Sequence, residues 1–317
     1  LFLISLSGIL LMLILAAYHL QKSYREKGQV LQAVHDLSLQ VSGGEVLAFL
    51  GPNGAGKTTS IKMIAGLVMP DSGWVRIVDR DPHQQPEALR LLGAVLEGNR
   101  NIYWRLTCRE NLEYFGVLRG MSARQASQRA EYLLERFELI QKRQTIVQSL
   151  SRGMQQKLAI AVALMHQPPL LLLDEPTLGL DVEATESVKR LIREIAAEGC
   201  AIVLTTHQLA IAEELSDRVA IMHRGEILIE KPTDALIQQF STGSYRIETR
   251  EPIDVPRCSE LERLGVVVAG DRQLFVADPG QLYEALAILK PLPLLRIETD
   301  QATLKEVFLT LVRQAQD

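Results

Sequence analysis

The residues best suited to chemistry fall in three short stretches. Gly51–Thr59 reads GPNGAGKTT and fits G-x-x-x-x-G-K-[ST], between the apolar run VLAFL and the helical pattern TTSIKMIAGL. Low bulk at Gly51, Gly54 and Gly56, with Pro52, Asn53 and Ala55 between them, lets backbone N–H groups wrap a polyphosphate. The N-terminus of the following helix adds about half a positive charge at the same point. Lys57 would then reach the β- and γ-phosphates of a nucleoside triphosphate, Thr58 would offer its hydroxyl to Mg²⁺, and Thr59 would close the phosphate-binding stretch. The alternative, a glycine-rich turn that only joins a strand to a helix, does not explain the Lys-Thr pair in register.

The second stretch is LLLLDEPTLGLD, Leu170–Asp181, with two carboxylates at the C-terminal end of an apolar run. Ligands bind at that end of parallel strands. Asp174 would hold Mg²⁺ directly or through water, and Glu175 would orient and polarise an attacking water. A solvated strand end is the ordinary reading of such a pair taken alone. In the third stretch, AIVLTTH, His207 closes another apolar run, where it could bond the γ-phosphate or the water.

Such residues need a scaffold that brings several strand ends to one edge. Short apolar β-branched runs alternate with longer amphipathic ones from about Leu13 to Phe240, which indicates a layered α/β domain. Its strongest strands are Val46–Leu50, Leu170–Leu173 and Ala201–Thr205, apolar on both faces as covered parallel strands must be. Residues 98–168 are dominated by helical periodicity and read as a helical insertion. Residues 241–317 read as a small separate α/β domain.

The run Leu1–Ala17 has no charge. A membrane span needs about 20 apolar residues, which this run reaches only by consuming AAYHLQKSY, better read as a first strand and turn. Residues 1–12 are read as an apolar extension, upstream of a natural start at Met12; a short membrane-associated anchor and an apolar flap are the alternatives.

With 47% hydrophobic and 23% charged residues, the 317-residue chain is of ordinary globular composition, not disordered or collagen-like. Its net charge of −4 creates no global field for nucleic acid, so no nucleic-acid partner is expected and any anion site must be local. Cys108, Cys200 and Cys258 form neither a disulfide framework nor a metal knuckle, which favours a reducing compartment.

A fourth motif makes the combination resemble the nucleotide-binding domain of ABC transporters, over roughly Leu13–Phe240. LSRGMQQKLAIAVAL, Leu150–Leu164, is similar to the family signature LSGGQ. Ser151 and Gly153 match it, whereas Arg152 stands for Gly and Met154 for Gln. The fold implied is a P-loop NTPase of ABC type: a mixed sheet core with a helical subdomain, followed by a small C-terminal α/β domain. In the family the signature faces the γ-phosphate bound to the other subunit, so Ser151, Arg152, Gly153 and Met154 would contact a partner's ATP. Tyr24 is similar to the aromatic that stacks on adenine, with a strand-edge tyrosine as the alternative. Asp181 matches the loop that crosses the dimer interface. Glu97 stands where the family has a Gln that senses Mg²⁺; as a carboxylate it could ligate the metal through water.

The resemblance implies an ATPase that uses ATP and Mg²⁺, forms a homodimer, and drives a separate membrane permease from the cytoplasmic face. The ending TLKEVFLTL, Thr303–Leu311, looks like that of ABC-2 type exporters, whose cargo could be a drug, antibiotic, lipid or polysaccharide. An importer ATPase, or a soluble ABC protein acting on nucleic acid or ribosomes, are the alternatives. Asn99–Thr107, NRNIYWRLT, sets Tyr103 and Trp104 among basic residues and is expected to dock the permease, unless its aromatics tuck into the helical part.

Overall fold

The computed structural model describes residues 3–6, 9–26, 29–96, 102–241, 243–299 and 302–315. The chain divides into two compact units, Leu1–Pro232 and Thr233–Asp317.

The first unit opens with β1 (Leu3–Leu6), β2 (Ile9–Glu26) and β3 (Gln29–Ser42), each antiparallel to the next. The apolar N-terminal run is therefore strand where it is described, with Leu3 paired to Met12; Leu1, Phe2, Ser7 and Gly8 lie outside the described residues. No helix among the described residues is long and apolar enough to cross a membrane. The turn expected in AAYHLQKSY is not there: β2 stays paired with β3 as far as Glu26. The stretch instead carries register shifts at Ala17/Leu20, Leu20/Lys22 and Lys22/Ser23, and in the first of them His19 has φ 51°.

β4 (Val46–Leu50) leads through the glycine-rich loop into α1 (Lys57–Ile64), and β5 (Ser72–Ile77) returns to pair with β2. β6 (Leu92–Val95) ends just before residues 97–101, which lie outside the described residues. Glu97, Asn99, Arg100 and Asn101 are among them. The helical part holds α2 (Cys108–Leu118), α3 (Ala123–Arg136) and α4 (Arg152–Ala163). Thr107 with Glu110, and Ser122 with Gln125, form reciprocal capping boxes that satisfy the first backbone donors of α2 and α3. β7 (Leu170–Asp174), α5 (Val182–Ala197), β8 (Ala201–Thr205), α6 (Leu209–Leu215), β9 (Arg218–His223) and β10 (Glu226–Pro232) complete the unit.

The sheet runs β1-β2-β3-β10-β9-β4-β8-β7-β6, with β5 on β2. From β9 through β4, β8 and β7 to β6 all neighbours are parallel, so their C-terminal ends share one edge. Every residue of β4, β7 and β8 is buried, which explains why VLAFL, LLLLD and AIVLT are apolar almost throughout rather than alternating. Leu47, Phe49, Leu172 and Val203 from this block share one core with Ile61 and Ile64 of α1.

The second unit comprises α7 (Thr233–Phe240), β11 (Tyr245–Thr249), α8 (Val255–Arg263), β12 (Val267–Ala269), β13 (Gln273–Val276), α9 (Leu282–Leu289), β14 (Leu294–Thr299) and α10 (Leu304–Gln314). Its four-stranded antiparallel sheet, β12-β13-β11-β14, packs Ile247, Leu274 and Val276 against Leu261, Ala285 and Leu289. The division falls at Pro232, not at Phe240 as the sequence reading has it, because α7 packs on α10. The Ala302 N–H also donates to Ser241 Oγ at 3.0 Å, tying the end of α7 to the start of α10.

Candidate functional site

The glycine-rich loop leaves the buried end of β4 and closes on β9 and β3. A Cβ on Gly51 would stand 2.3 Å from the Met222 carbonyl oxygen, and one on Gly56 would stand 2.4 Å from that of Ala33. Only glycine permits so close an approach, and at Gly56 the backbone is also left-handed, φ 106°. Gly56 is the N-cap of α1 and no side chain bonds the helix's first turn, so its backbone donors face the loop. Asn53, Gly54 and Thr58 are exposed; Pro52, Lys57 and Thr59 are partly buried, and Ala55 is buried. The Lys57 ammonium donates to the carbonyls of Gly51 at 2.7 Å and Pro52 at 3.1 Å. Burial holds it below the usual lysine range, against the pull of the Glu175 and Asp174 carboxylates.

Two strands away, β7 and β8 bring the acids to the same edge. Asp174 is paired with Thr205 in register, is 7% exposed, and accepts a hydrogen bond from the Thr205 hydroxyl. Glu175 leaves the strand with φ 50°, a left-handed turn that costs a non-glycine residue roughly 1–2 kcal/mol. Two hydrogen bonds hold it there: its N–H donates to the Thr205 carbonyl at 3.0 Å, and its own carbonyl accepts from Leu178 at 3.1 Å. Glu175 Oε1 lies 2.9 Å from His207 Nδ1, while Oε2 is buried without a hydrogen-bond partner among the described residues. His207 thus fixes one oxygen of the carboxylate and leaves the other available.

Among the described residues no group of three or more His, Cys, Asp or Glu side chains could hold a metal ion by itself. Mg²⁺ bound beside a polyphosphate needs only one or two protein oxygens. The Asp174 carboxylate and the Thr58 hydroxyl are oxygen donors of that kind; Thr58 directly follows Lys57, whose charge interacts with the Asp174 and Glu175 carboxylates.

Among the described residues, the signature residues share no hydrogen bond or ion pair with this site. Ser151 is the exposed N-cap of α4, and its hydroxyl accepts from the Met154 N–H at 3.3 Å. The buried Gln155 amide donates to the Val147 and Leu150 carbonyls at 3.2 and 3.1 Å, holding the approach to the helix. A Cβ on Gly153 would stand 2.6 Å from the Ala184 Cβ, so α4 and α5 meet at Gly153. Arg152 reaches the turn before α5, with Nη1 3.2 Å from the position of a Cβ on Gly179. Asp181 is exposed and caps α5, accepting from the Ala184 N–H at 2.8 Å. Tyr24 is 39% exposed and paired with Leu31, two residues along β3 from Ala33, whose carbonyl abuts Gly56. The Lys22 ammonium lies over its ring, 5.8 Å from the centroid.

Sequence reasoning missed Thr205, Met222 and Ala33. Thr205 was visible as the hydroxyl ending AIVLT; the other two act through their backbone carbonyls, to which their side chains give no clue.

In the helical part, Ile102 is buried while Tyr103 and Trp104 remain 49% and 43% exposed. The fully buried Asn111 side chain clamps the Tyr103 backbone, accepting from its N–H at 2.7 Å and donating to its carbonyl at 3.0 Å. The Tyr103 ring meets the Tyr114 ring edge-on at 5.0 Å, and beside them a groove is lined by Leu106, Val117, Leu118 and Ala123.

Comparison with known proteins places these observations among relatives. Residues 34–178 match the family described as "ABC transporter". The chain is 36% identical over 300 residues to the daunorubicin resistance ATP-binding protein DrrA3 of Streptomyces coeruleorubidus, an alignment covering 92% of this chain and 93% of that one. It is 36% identical over 301 residues to the Nod factor export ATP-binding protein I of Paraburkholderia xenovorans (strain LB400), covering 94% and 96%. Among solved structures it is similar to a dimeric post-hydrolysis state of an ATP-binding cassette bound to ADP and Pi, with TM-score 0.63 and 27% identity, covering 69% of this chain and 99% of that one.

Proposed function

This chain belongs to the ABC transporter ATP-binding family, and from that premise we infer that two copies close around ATP and transmit its hydrolysis to a separate membrane permease. The chain is the ATP-hydrolysing subunit of an exporter. An ABC-2 type permease, a homodimer of the ATPase, Mg²⁺ as the metal, and a position at the cytoplasmic face of the membrane complete the reading. The observation that carries it is the meeting of Lys57, Asp174 and Glu175 where parallel strands end.

Tyr24 stacks on the adenine, and backbone N–H groups from Gly51 to Thr59 wrap the phosphates at the N-terminus of α1. Lys57 gives up its contacts with the loop carbonyls to neutralise the β- and γ-phosphates. Thr58 and Asp174 would hold Mg²⁺, with Glu97 as a further candidate through water; the metal supplies neutralisation of phosphate charge. Glu175 accepts a proton from the attacking water through Oε2 while His207 holds Oε1. The water oxygen bonds to the γ-phosphorus, the bond from that phosphorus to the bridging oxygen breaks, and ADP and phosphate leave.

Ser151, Arg152, Gly153 and Met154 at the start of α4 face the γ-phosphate held by the partner, with Asp181 at the same interface. ATP therefore bridges two chains, and hydrolysis removes the bridge. Glu175→Gln should reduce steady-state ATPase activity by about 10²–10³-fold while an ATP-dependent dimer persists; normal turnover would remove Glu175 from its role. Tyr103 and Trp104 dock the permease. Replacing both by Ala should leave basal ATPase activity intact and abolish copurification with the permease, and unchanged copurification would refute the docking assignment.

A further inference from the structure

The sheet of the second unit has two unlike edges. β12 has three residues, whereas β14 has six, and Leu295 and Ile297 on β14 are 56% and 44% exposed. Among the described residues β14 pairs on one side only, with β11. Its other side presents main-chain donors and acceptors beside exposed apolar side chains, along an edge marked by a bulge at Leu295 and by the charges of Arg296 and Glu298.

The sequence of β14, LLRIET, complements itself when reversed. Ile297 is paired with Ile247 and so lies on the core face, whereas Arg296 and Glu298 lie on the open face, opposite Glu248 and Arg246. Antiparallel pairing of two β14 strands about Ile297 sets Ile297 against Ile297 and Arg296 against Glu298 twice over; the bulge of β14 between Leu294 and Arg296 keeps Leu295 out of the regular ladder. Centring on Arg296 or Glu298 instead sets like charges opposite each other, which is destabilising. Parallel pairing in register does the same. A slip of one residue turns the core face of one sheet toward the open face of the other. The charges, with the bulge that takes Leu295 out of the ladder, therefore select one register.

We infer that in the two-copy assembly β14 of one chain pairs antiparallel with β14 of the other about Ile297, joining the two four-stranded sheets. In a single chain Arg296 Nη2 and Glu298 Oε1 meet at 2.7 Å, with side chains 66% and 43% exposed. Exchanging so exposed a contact for one across the copies changes the energy little; it sets register more than affinity. An edge of this length is smaller than the roughly 1,000 Å² that a stable interface needs. It contributes once the copies are already held together, at raised effective concentration, and so rests on the two-copy reading above.

The test is oxidative cross-linking of the full chain with ATP present, the native chain with its own three cysteines serving as control. The Ile297→Cys chain should form an intermolecular disulfide, because directly opposite residues lie within disulfide reach. The Thr299→Cys chain should cross-link to itself about tenfold less, because its two sites stand roughly 13 Å apart along the strands. The proposal fails if Ile297→Cys gives no disulfide while the Glu175→Gln chain forms its ATP-dependent dimer, or if Ile297→Cys and Thr299→Cys cross-link equally. Loss of that dimer is a separate result that overturns the composite pocket, and a missing disulfide then counts against both readings.

Discussion

At the N-terminus of α1 the capping residue is Gly56, with φ 106° and no side chain bonded to the first turn; at that of α4 it is Ser151, in extended backbone, with its hydroxyl already on the Met154 N–H. Both ends can attract an anion. They differ in what surrounds them. α1 starts where a parallel sheet also delivers Asp174, Glu175 and His207, and its lysine feels both carboxylates. α4 starts in the helical part, where its third residue from the cap is used for capping and Gly153 for packing on α5. On the proposed function, the sheet edge assembles a reaction centre within one chain, whereas the start of α4 would meet an anion held by another molecule.

The largest expected effect falls on the sheet side. Lys57→Ala removes the cation from the phosphate loop and should lower ATPase activity by about 10²–10³-fold, with ATP binding to a single chain weakened as well. A calorimetric titration that found unchanged ATP affinity would break the contrast at its stronger end.

An intermediate effect concerns the tie between the two regions. His166, just beyond α4, donates from Nε2 to the Leu92 carbonyl of β6 at 3.1 Å, and its Nδ1 is buried without a hydrogen-bond partner among the described residues. Burial, with the Arg119 charge nearby, pushes it down to about 4. The unfolded chain binds the proton near 6.5 and the folded chain does not, so stability is complete above that pH and is lost as the pH falls toward about 4. The loss should reach about 2–3 kcal/mol, read as a drop in denaturation midpoint between neutral and acid buffer. His166→Gln should flatten that slope; an unchanged slope would place the acid sensitivity elsewhere.

Ser151→Ala should give the smallest effect on stability, about 1 kcal/mol from the lost cap. Its value lies in what it spares. ATP binding to a single chain should be unchanged, while ATP-dependent dimer and turnover decline. If single-chain binding fell as it does for Lys57→Ala, the two helix ends would belong to one site and the distinction between them would dissolve.

Local sequence determined the parts whose physics is local. GPNGAGKTT between a buried strand and a helix, the acids after LLLL and the histidine after AIVLTT could each be read because a strand–loop–helix unit places its own residues. Capping boxes at Thr107, Ser122 and Thr303 are legible for the same reason, since each spans only three residues. Tertiary structure decided which of these meet. The Thr205 hydroxyl on Asp174, the hold of His207 on Glu175, and the walls that Met222 and Ala33 raise against Gly51 and Gly56 all depend on strand register. Register is set by pairing between segments far apart in the chain, and nothing within either segment specifies it alone. The same reason moved the division between units to Pro232, where contacts of α7 with α10, more than sixty residues away, outweigh its continuity with β10.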